Sequence, residues 1–269
     1  MRYVIDHDLH IHSYLSLCSQ NAEQTADAIL KYGIKNNFKY LCLTDHVWGN
    51  VKPNKNDFYN GNYENTPQDI PHISKILPLP QSEKTGFFFG CETDMDDELN
   101  IGLAADEYEK FDFVIIPTTH LHMYPFVSVE KSAETYVNRF DKILSSDLPF
   151  RKIGIAHLTT KLIAPKDNWK TVLNIIPESI YKRLFRKSAE LGLGIEINSG
   201  DLAYYNPEET DVSLRVFDIA KECGCKFYFG SDAHTPKGFL NSIQTFEKMV
   251  DLLDLKEEDK FNPFITEGV

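Results

Sequence analysis

Seven short apolar runs, at residues 3–11, 40–43, 87–89, 113–116, 153–156, 193–197 and 227–229, are separated by stretches of helical period. Parallel strands cannot be joined by tight turns and need a crossover of a dozen or more residues, usually a helix, so this alternation predicts an α/β fold around a parallel sheet. The runs are continuous rather than alternating, as strands covered on both faces require. On that ground Phe87-Phe-Phe89 and Phe227-Tyr-Phe229 read as core and not as stacking platforms for bases. The first helix is predicted over about residues 22–36 with Asn21 as its N-cap and Ala26, Ile29 and Leu30 inward. Ala133, Tyr136, Val137, Phe140, Ile143 and Leu144 form one stripe; Ile180, Leu184, Phe185 and Leu191 form another ending at Gly192; Val212, Val216, Phe217 and Ala220 form a third ending near Gly224.

Where the apolar runs stop, histidines and acids recur: His10 and His12, His46, Glu92, His120, His157, Asp232 and His234. In a barrel of parallel strands the C-terminal strand ends meet on one face, where active sites lie. A strand alternates its side chains, so His10 and His12 share a face about 7 Å apart along the chain and can reach one ion. With Asp8, these residues span positions 8 to 234 with no linker or repeat between them, so one unit over 1–269 is the simpler organisation. Residues 48–82 are rich in Asn, Pro and Tyr with little periodicity, and a loop of that length predicts a lid beside the site.

Composition narrows the partners. Asp and Glu outnumber Lys and Arg by 40 to 28, a formal charge of −12, and no basic run is visible, so nucleic acid is disfavoured and a small substrate held by bound cations fits better. No membrane span or signal peptide is evident, and a cytoplasmic protein is expected. The five cysteines are odd in number and scattered, which opposes a disulfide framework; Gly224 as a helix-ending residue explains Cys223-Gly-Cys225 without metal.

Imidazole and carboxylate ligands together suit zinc, manganese or iron. His10 and His12 with Glu92 and Asp232 would hold one ion, Glu92, His120 and His157 a second, and His46 with His234 a third, giving two to three divalent ions with Glu92 as the bridge. Two ions about 4 Å apart share a hydroxide at neutral pH and polarise a phosphoryl oxygen. Asp8 and Asp45 are candidates to accept a ring N–H, or to protonate a leaving group. His7 and His72 read as hydrogen-bonded core or rim residues, His122 as a neighbour of the site, and Asp94-Met-Asp-Asp-Glu98 as a solvated turn.

In Asp8-Leu-His10-Ile-His12-Ser13, Thr44-Asp45-His46, His120 and Ser231-Asp232-Ala-His234 the chain resembles the polymerase and histidinol phosphatase (PHP) family, with Glu92 and His157 in the remaining ligand places. The resemblance implies a distorted seven-stranded β/α barrel, up to three metals, and hydrolysis of a phosphoester, with histidinol phosphate the leading candidate among small phosphomonoesters. Glu92 and Asp45 are then the catalytic candidates. Cys18 stands where many relatives carry a further histidine, either as a thiolate ligand or as a thiol packed under the rim. Residues 196–205 supply none of the arginines expected near phosphate, leaving Lys161 and Lys237 as candidate substrate contacts. Other readings are a PHP phosphodiesterase or exonuclease, an amidohydrolase-type C–N hydrolase, and a catalytically silent metal-binding domain.

Overall fold

The computed structural model describes residues 1–19, 21–49, 67–202, 205 and 211–264. Its strands are β1 (His7–Ile11), β2 (Tyr40–Leu43), β3 (His46–Val47), β4 (Gly86–Phe89), β5 (Cys91–Thr93), β6 (Val114–Pro117), β7 (Ile153–Ala156), β8 (Gly194–Asn198) and β9 (Lys226–Gly230). They pair in parallel in the orders β1-β2-β4 and β3-β5-β6-β7-β8-β9. Because β2 pairs β4 and β3 pairs β5, β2 and β3 are one position broken at Thr44-Asp45, and β4 and β5 another broken at Gly90. The nine strands among the described residues therefore fill the seven positions expected from sequence.

Strands β9 and β1 meet through their ends. The Phe229 N–H donates to His7 Nε2 (3.1 Å) and the Ser231 N–H to Asp8 Oδ1 (2.9 Å). Further along, the Asp232 N–H donates to the His10 carbonyl (2.8 Å) and the His12 N–H to the Ala233 carbonyl (3.1 Å). The run at 3–11 becomes strand only from His7, since Tyr3 is spent in the core, where its hydroxyl donates to the Phe227 carbonyl (2.7 Å).

Inside the ring, Leu9, Cys42, Phe113, Ile115, Ala156, Tyr228 and Phe261 pack as a separate apolar cluster, contributed by five strand positions and the C-terminal segment. Gly154 makes room for it: a Cβ there would sit 2.4 Å from the Tyr228 hydroxyl and 2.6 Å from Phe113. This cluster is the floor on which the strand-end residues stand. The larger core lies between strands and helices.

The helices are α1 (Ala26–Lys35), α2 (Ile70–Ile73), α3 (Val129–Ser145), α4 (Asn168–Ile175), α5 (Glu178–Leu191), α6 (Val212–Glu222) and α7 (Ser242–Leu252). The predicted stripes of α3, α5 and α6 face inward, and Gly192 ends α5 with φ 76°. Helix α1 starts at Ala26 rather than Ala22, because Thr25 is the cap, its hydroxyl accepting from the Ala28 N–H (3.2 Å). Asn21 instead accepts from the Glu23 N–H (2.9 Å), a local turn that competes with helix. Of the predicted lid, residues 50–66 lie outside the described residues; the remainder is more ordered than expected, with α2 and a 3₁₀ turn at Ser74–Ile76. Its two flanks meet where the Trp48 N–H donates to the Gln68 carbonyl (2.9 Å). Among the described residues no helix is long and apolar enough to cross a membrane.

Candidate metal centre

The strand-end histidines and acids converge. His10 lies in β1 and His12 just past it, His46 opens β3, Glu92 sits within β5, and His120, His157, Asp232 and His234 follow β6, β7 and β9. Two of these residues hold left-handed backbone, His157 at φ 34° and Asp232 at φ 52°. Such a conformation costs about 1–3 kcal/mol in a residue with a Cβ and persists where the surroundings over-determine it. At His157 they do: its N–H donates to Glu196 Oε2 (2.6 Å) and its carbonyl accepts from Thr119 Oγ1 (3.2 Å).

Glu92, buried at 1% exposure, is the hub. Its Oε1 lies 3.0 Å from His157 Nε2 and 3.6 Å from His120 Nε2. Its Oε2 lies 3.2 Å from His46 Nδ1, and 3.4 Å from both His10 Nε2 and His12 Nε2. Asp232 Oδ1 stands 3.2 Å from His12 Nε2 and 3.5 Å from His10 Nε2. One carboxylate thus touches two groups of imidazoles with different oxygens, around a cavity of about 200 Å³.

The other ring nitrogens fix the tautomers. His10 Nδ1 faces Glu196 Oε1 (2.7 Å) and His120 Nδ1 faces Asp94 Oδ2 (2.8 Å); a carboxylate only accepts, so each Nδ1 carries the proton. His12 Nδ1 donates to Ser16 Oγ (3.1 Å), whose own proton goes to Asp45 Oδ1 (2.7 Å). His157 Nδ1 donates to Thr119 Oγ1 (2.9 Å) and His234 Nδ1 to the Asp232 carbonyl (2.7 Å). Lone pairs on Nε2 of His10 and His12 therefore face each other at 3.1 Å and face carboxylate oxygens beyond. His46 Nδ1 is buried and has no hydrogen-bond partner among the described residues. Lone pairs converge this way only around protons or a cation, and two ligand atoms each about 2.1 Å from a tetrahedral ion stand about 3.4 Å apart. The donor set fits divalent transition ions.

Four groupings have ligand atoms within 4.8 Å of one another: His10, His12 and Glu92; His10, His157 and Asp232; Glu92, His120 and His157; and His12, Cys18, His46 and His234. The last joins the predicted His46–His234 pair and brings in Cys18, an exposed residue. Lys161 lies outside the cluster but lines an adjoining cavity. Lys237 is exposed on the 3₁₀ turn Pro236–Phe239 and lines neither cavity.

Several expectations need correction. Asp8 accepts no ring N–H; its carboxylate is taken by the Ser231 N–H and the Tyr32 hydroxyl (3.1 Å), so it ties β1 to α1 and the β9 end. Burial pushes its carboxyl up to about 7, against these hydrogen bonds. Asp45 is joined to His12 by hydrogen bonds through Ser16, with its Oδ1 4.0 Å from His12 Nδ1; both its oxygens are engaged by Ser13 and Ser16, and it is not among the described residues that line the cavity. Asp94 is no solvated turn residue: it is 1% exposed and holds His120. Glu196 was missed. Its signal was a lone acid inside the fully buried β8, a placement that demands a partner. His7 and His72 are satisfied within the fold as expected, by Asp6 and the Leu15 carbonyl.

Protons compete with metal here. Burial works to lower the His10, His12 and His157 rings, yet nearby carboxylates prevail: Glu196, Asp232 and Glu92 raise His10 well above the ordinary range, Asp232 and Glu92 carry His12 to about 9, and Glu92 raises His157. Without metal His12 is imidazolium below about 9, His10 and His157 hold their protons more tightly than a free ring, and an ion must displace these protons. Apparent affinity for zinc or manganese should therefore rise as pH rises towards about 9, by at most about tenfold per pH unit for each proton displaced. Chelator-competition titrations across that range check this; a flat profile contradicts it.

Parallel α/β topology places at the strand ends a cluster of histidines and acids able to hold divalent metal ions. The PHP domain profile matches residues 8–200, and the chain belongs to the PHP family. No curated protein matches it in sequence. Among solved structures it is similar to histidinol phosphate phosphatase (HisK) from Lactococcus lactis subsp. lactis Il1403, a complex with zinc, L-histidinol and phosphate, at 16% identity and TM-score 0.59 over 96% of this chain and 98% of that one. It is also similar to HisK from Listeria monocytogenes, at 14% identity and TM-score 0.56 over 89% and 99%. At these identities the likeness shows the fold.

Proposed function

We propose that the chain is a metal-dependent phosphomonoesterase acting on a small phosphorylated metabolite in the cytoplasm, as one catalytic unit over 1–269. The observation that carries this reading is Glu92, whose two oxygens face imidazole nitrogens on both sides at 3.0–3.6 Å. His10, His12, Glu92 and Asp232 would hold one ion, Glu92, His120 and His157 a second, and His46 with His234, joined by Cys18, a third. Bound there, divalent ions supply charge neutralisation for a phosphoryl group and a nucleophile from water at neutral pH.

The remaining work belongs to side chains. Glu92 spaces the ligand groups, Glu196 and Asp94 hold the rings of His10 and His120, and the Asp45–Ser16 relay holds His12. The cavity of about 200 Å³ has room for a phosphoryl group, and the acidic chain disfavours nucleic acid. Histidinol phosphate is the first named candidate, supported by the fold of the Lactococcus neighbour.

The test is phosphate release from p-nitrophenyl phosphate and a phosphometabolite panel, histidinol phosphate included, with zinc, manganese or iron. Turnover that a chelator abolishes and metal restores is expected. Mononucleotide release from single-stranded DNA in place of monoester turnover would move the chain to the diesterases; inertness of fully metallated protein towards every ester would contradict the reading.

A further inference from the structure

Beside the metal cluster lies a second cavity of about 530 Å³, between α3 and the segments 121–127 and 161–165. The two spaces share walls. His122 lines both, while His120, Met123 and Leu162 face the cluster and Leu121, Tyr124, Lys161 and Ile163 face the second cavity. The His122 N–H donates to the Leu162 carbonyl (2.9 Å), locking the two wall segments together. A phosphoester with its phosphoryl group on the cluster has this space beside it for its organic part.

The lining is apolar over Leu121, Tyr124, Phe126 and Ile163, with Arg139 at its buried end. Arg139 is 1% exposed, and only part of its donor set is used. Nη2 donates to the Met95 carbonyl (2.8 Å), Nη1 lies 3.8 Å from Asp94 Oδ1, and the guanidinium sits 5.5 Å from the Tyr124 ring centroid. Among the described residues Nε and Nη1 have no hydrogen-bond partner. A buried guanidinium with open N–H groups is costly until an acceptor arrives. Among the described residues Lys131, which is paired with Glu134 (3.0 Å), and Lys161 also line the cavity, with Asp97 the acid in its lining, so cations outnumber acids there.

Resting on the phosphomonoesterase reading, we propose that this cavity is the leaving-group subsite and selects phosphomonoesters whose alcohol is an apolar, ring-sized body ending in a carboxylate that Arg139 binds. An ammonium in the same place would meet the Arg139 guanidinium and leave its Nε and Nη1 N–H groups unfilled. The inference thereby ranks acidic substrates above amino alcohol esters, and so above the histidinol phosphate that the fold likeness alone puts first.

Four esters of comparable alcohols separate the possibilities in the metallated enzyme: ethyl phosphate, 2-phenylethyl phosphate, and the latter carrying a 4-carboxylate or a 4-aminomethyl group. Expected is kcat/KM for the carboxylate ester about tenfold or more above the aminomethyl ester, with ethyl phosphate lowest. Thr135→Trp, which fills the cavity from half-buried α3 away from the cluster, should raise KM for the carboxylate ester about tenfold and leave ethyl phosphate within about twofold. Arg139→Gln should bring the ratio of carboxylate to unsubstituted ester towards one, a ratio that cancels any general loss of activity. The alcohol 4-(2-hydroxyethyl)benzoate is titrated in parallel by calorimetry into wild type and Thr135→Trp. Binding weakened by the tryptophan, with no ester hydrolysed, would uphold the cavity and defeat the phosphatase reading. Preference for the ammonium ester, or no discrimination among the four with no binding of the alcohol, would overturn the inference itself.

Discussion

Glu92→Ala is expected to lose at least one bound ion per chain and to lower phosphate release by about a thousandfold or more, while the circular dichroism spectrum stays that of the wild type. The size follows from what the carboxylate touches. Its Oε1 meets His120 and His157 and its Oε2 meets His10, His12 and His46, so one truncation removes an oxygen from both proposed ion positions. Metal polarisation of a phosphoryl oxygen is worth several kcal/mol, and about 4 kcal/mol is roughly a thousandfold in rate. The imidazole charges of His46, His10 and His120 hold the Glu92 carboxyl well below its usual range in spite of burial, so wild type presents an anion at any working pH. Metal content by plasma emission and initial rates on the same preparation check the prediction. Wild-type turnover in the alanine variant would remove Glu92 from its bridging place.

Glu196→Gln should act through metal affinity. The carboxylate accepts from His10 Nδ1 (2.7 Å) with one oxygen and from the His157 N–H (2.6 Å) with the other, so it sets the ring of one proposed ligand and the backbone of another. An amide can accept from one of these and must turn its own NH₂ towards the other. Loss of such a partner typically costs about 10–100-fold in metal affinity or activity. The apparent metal Kd should rise by that amount, and excess metal should restore most of the rate, a rescue that a merely structural lesion would not show. Gly230→Ala perturbs the same pair from outside, since a Cβ there would lie 2.0 Å from Glu196 Oε1 and 2.5 Å from His10 Cβ. It should copy the weakened affinity. Activity unchanged in both variants would show that Glu196 does not position His10.

Much of this was legible in the sequence because parallel strands buried on both faces leave continuous apolar runs, and their ends mark one face of the fold. All eight proposed ligands, from His10 to His234, could be named that way, and the structure gathers them. What stayed hidden are contacts between residues remote in the chain. Glu196 sits 186 positions from His10, and Asp94 26 from His120. Sequence spacing says nothing of such pairs, although an acid within a fully buried strand is itself a signal. The left-handed turns at His157 and Asp232 were equally silent, since Asp and His enter that region more readily than most residues but do so at only a few of their positions. Asp45 adjoins His46 in sequence yet serves His12, because the break between β2 and β3 turns its carboxylate onto Ser13 and Ser16.

Anomalous diffraction from crystals grown with manganese or zinc, recorded at the metal edge, tests the convergence of these groups most directly. Peaks are predicted on both sides of the Glu92 carboxylate, one towards His10, His12 and Asp232 and one towards His120 and His157. An empty cluster in crystals at saturating metal and alkaline pH would contradict it.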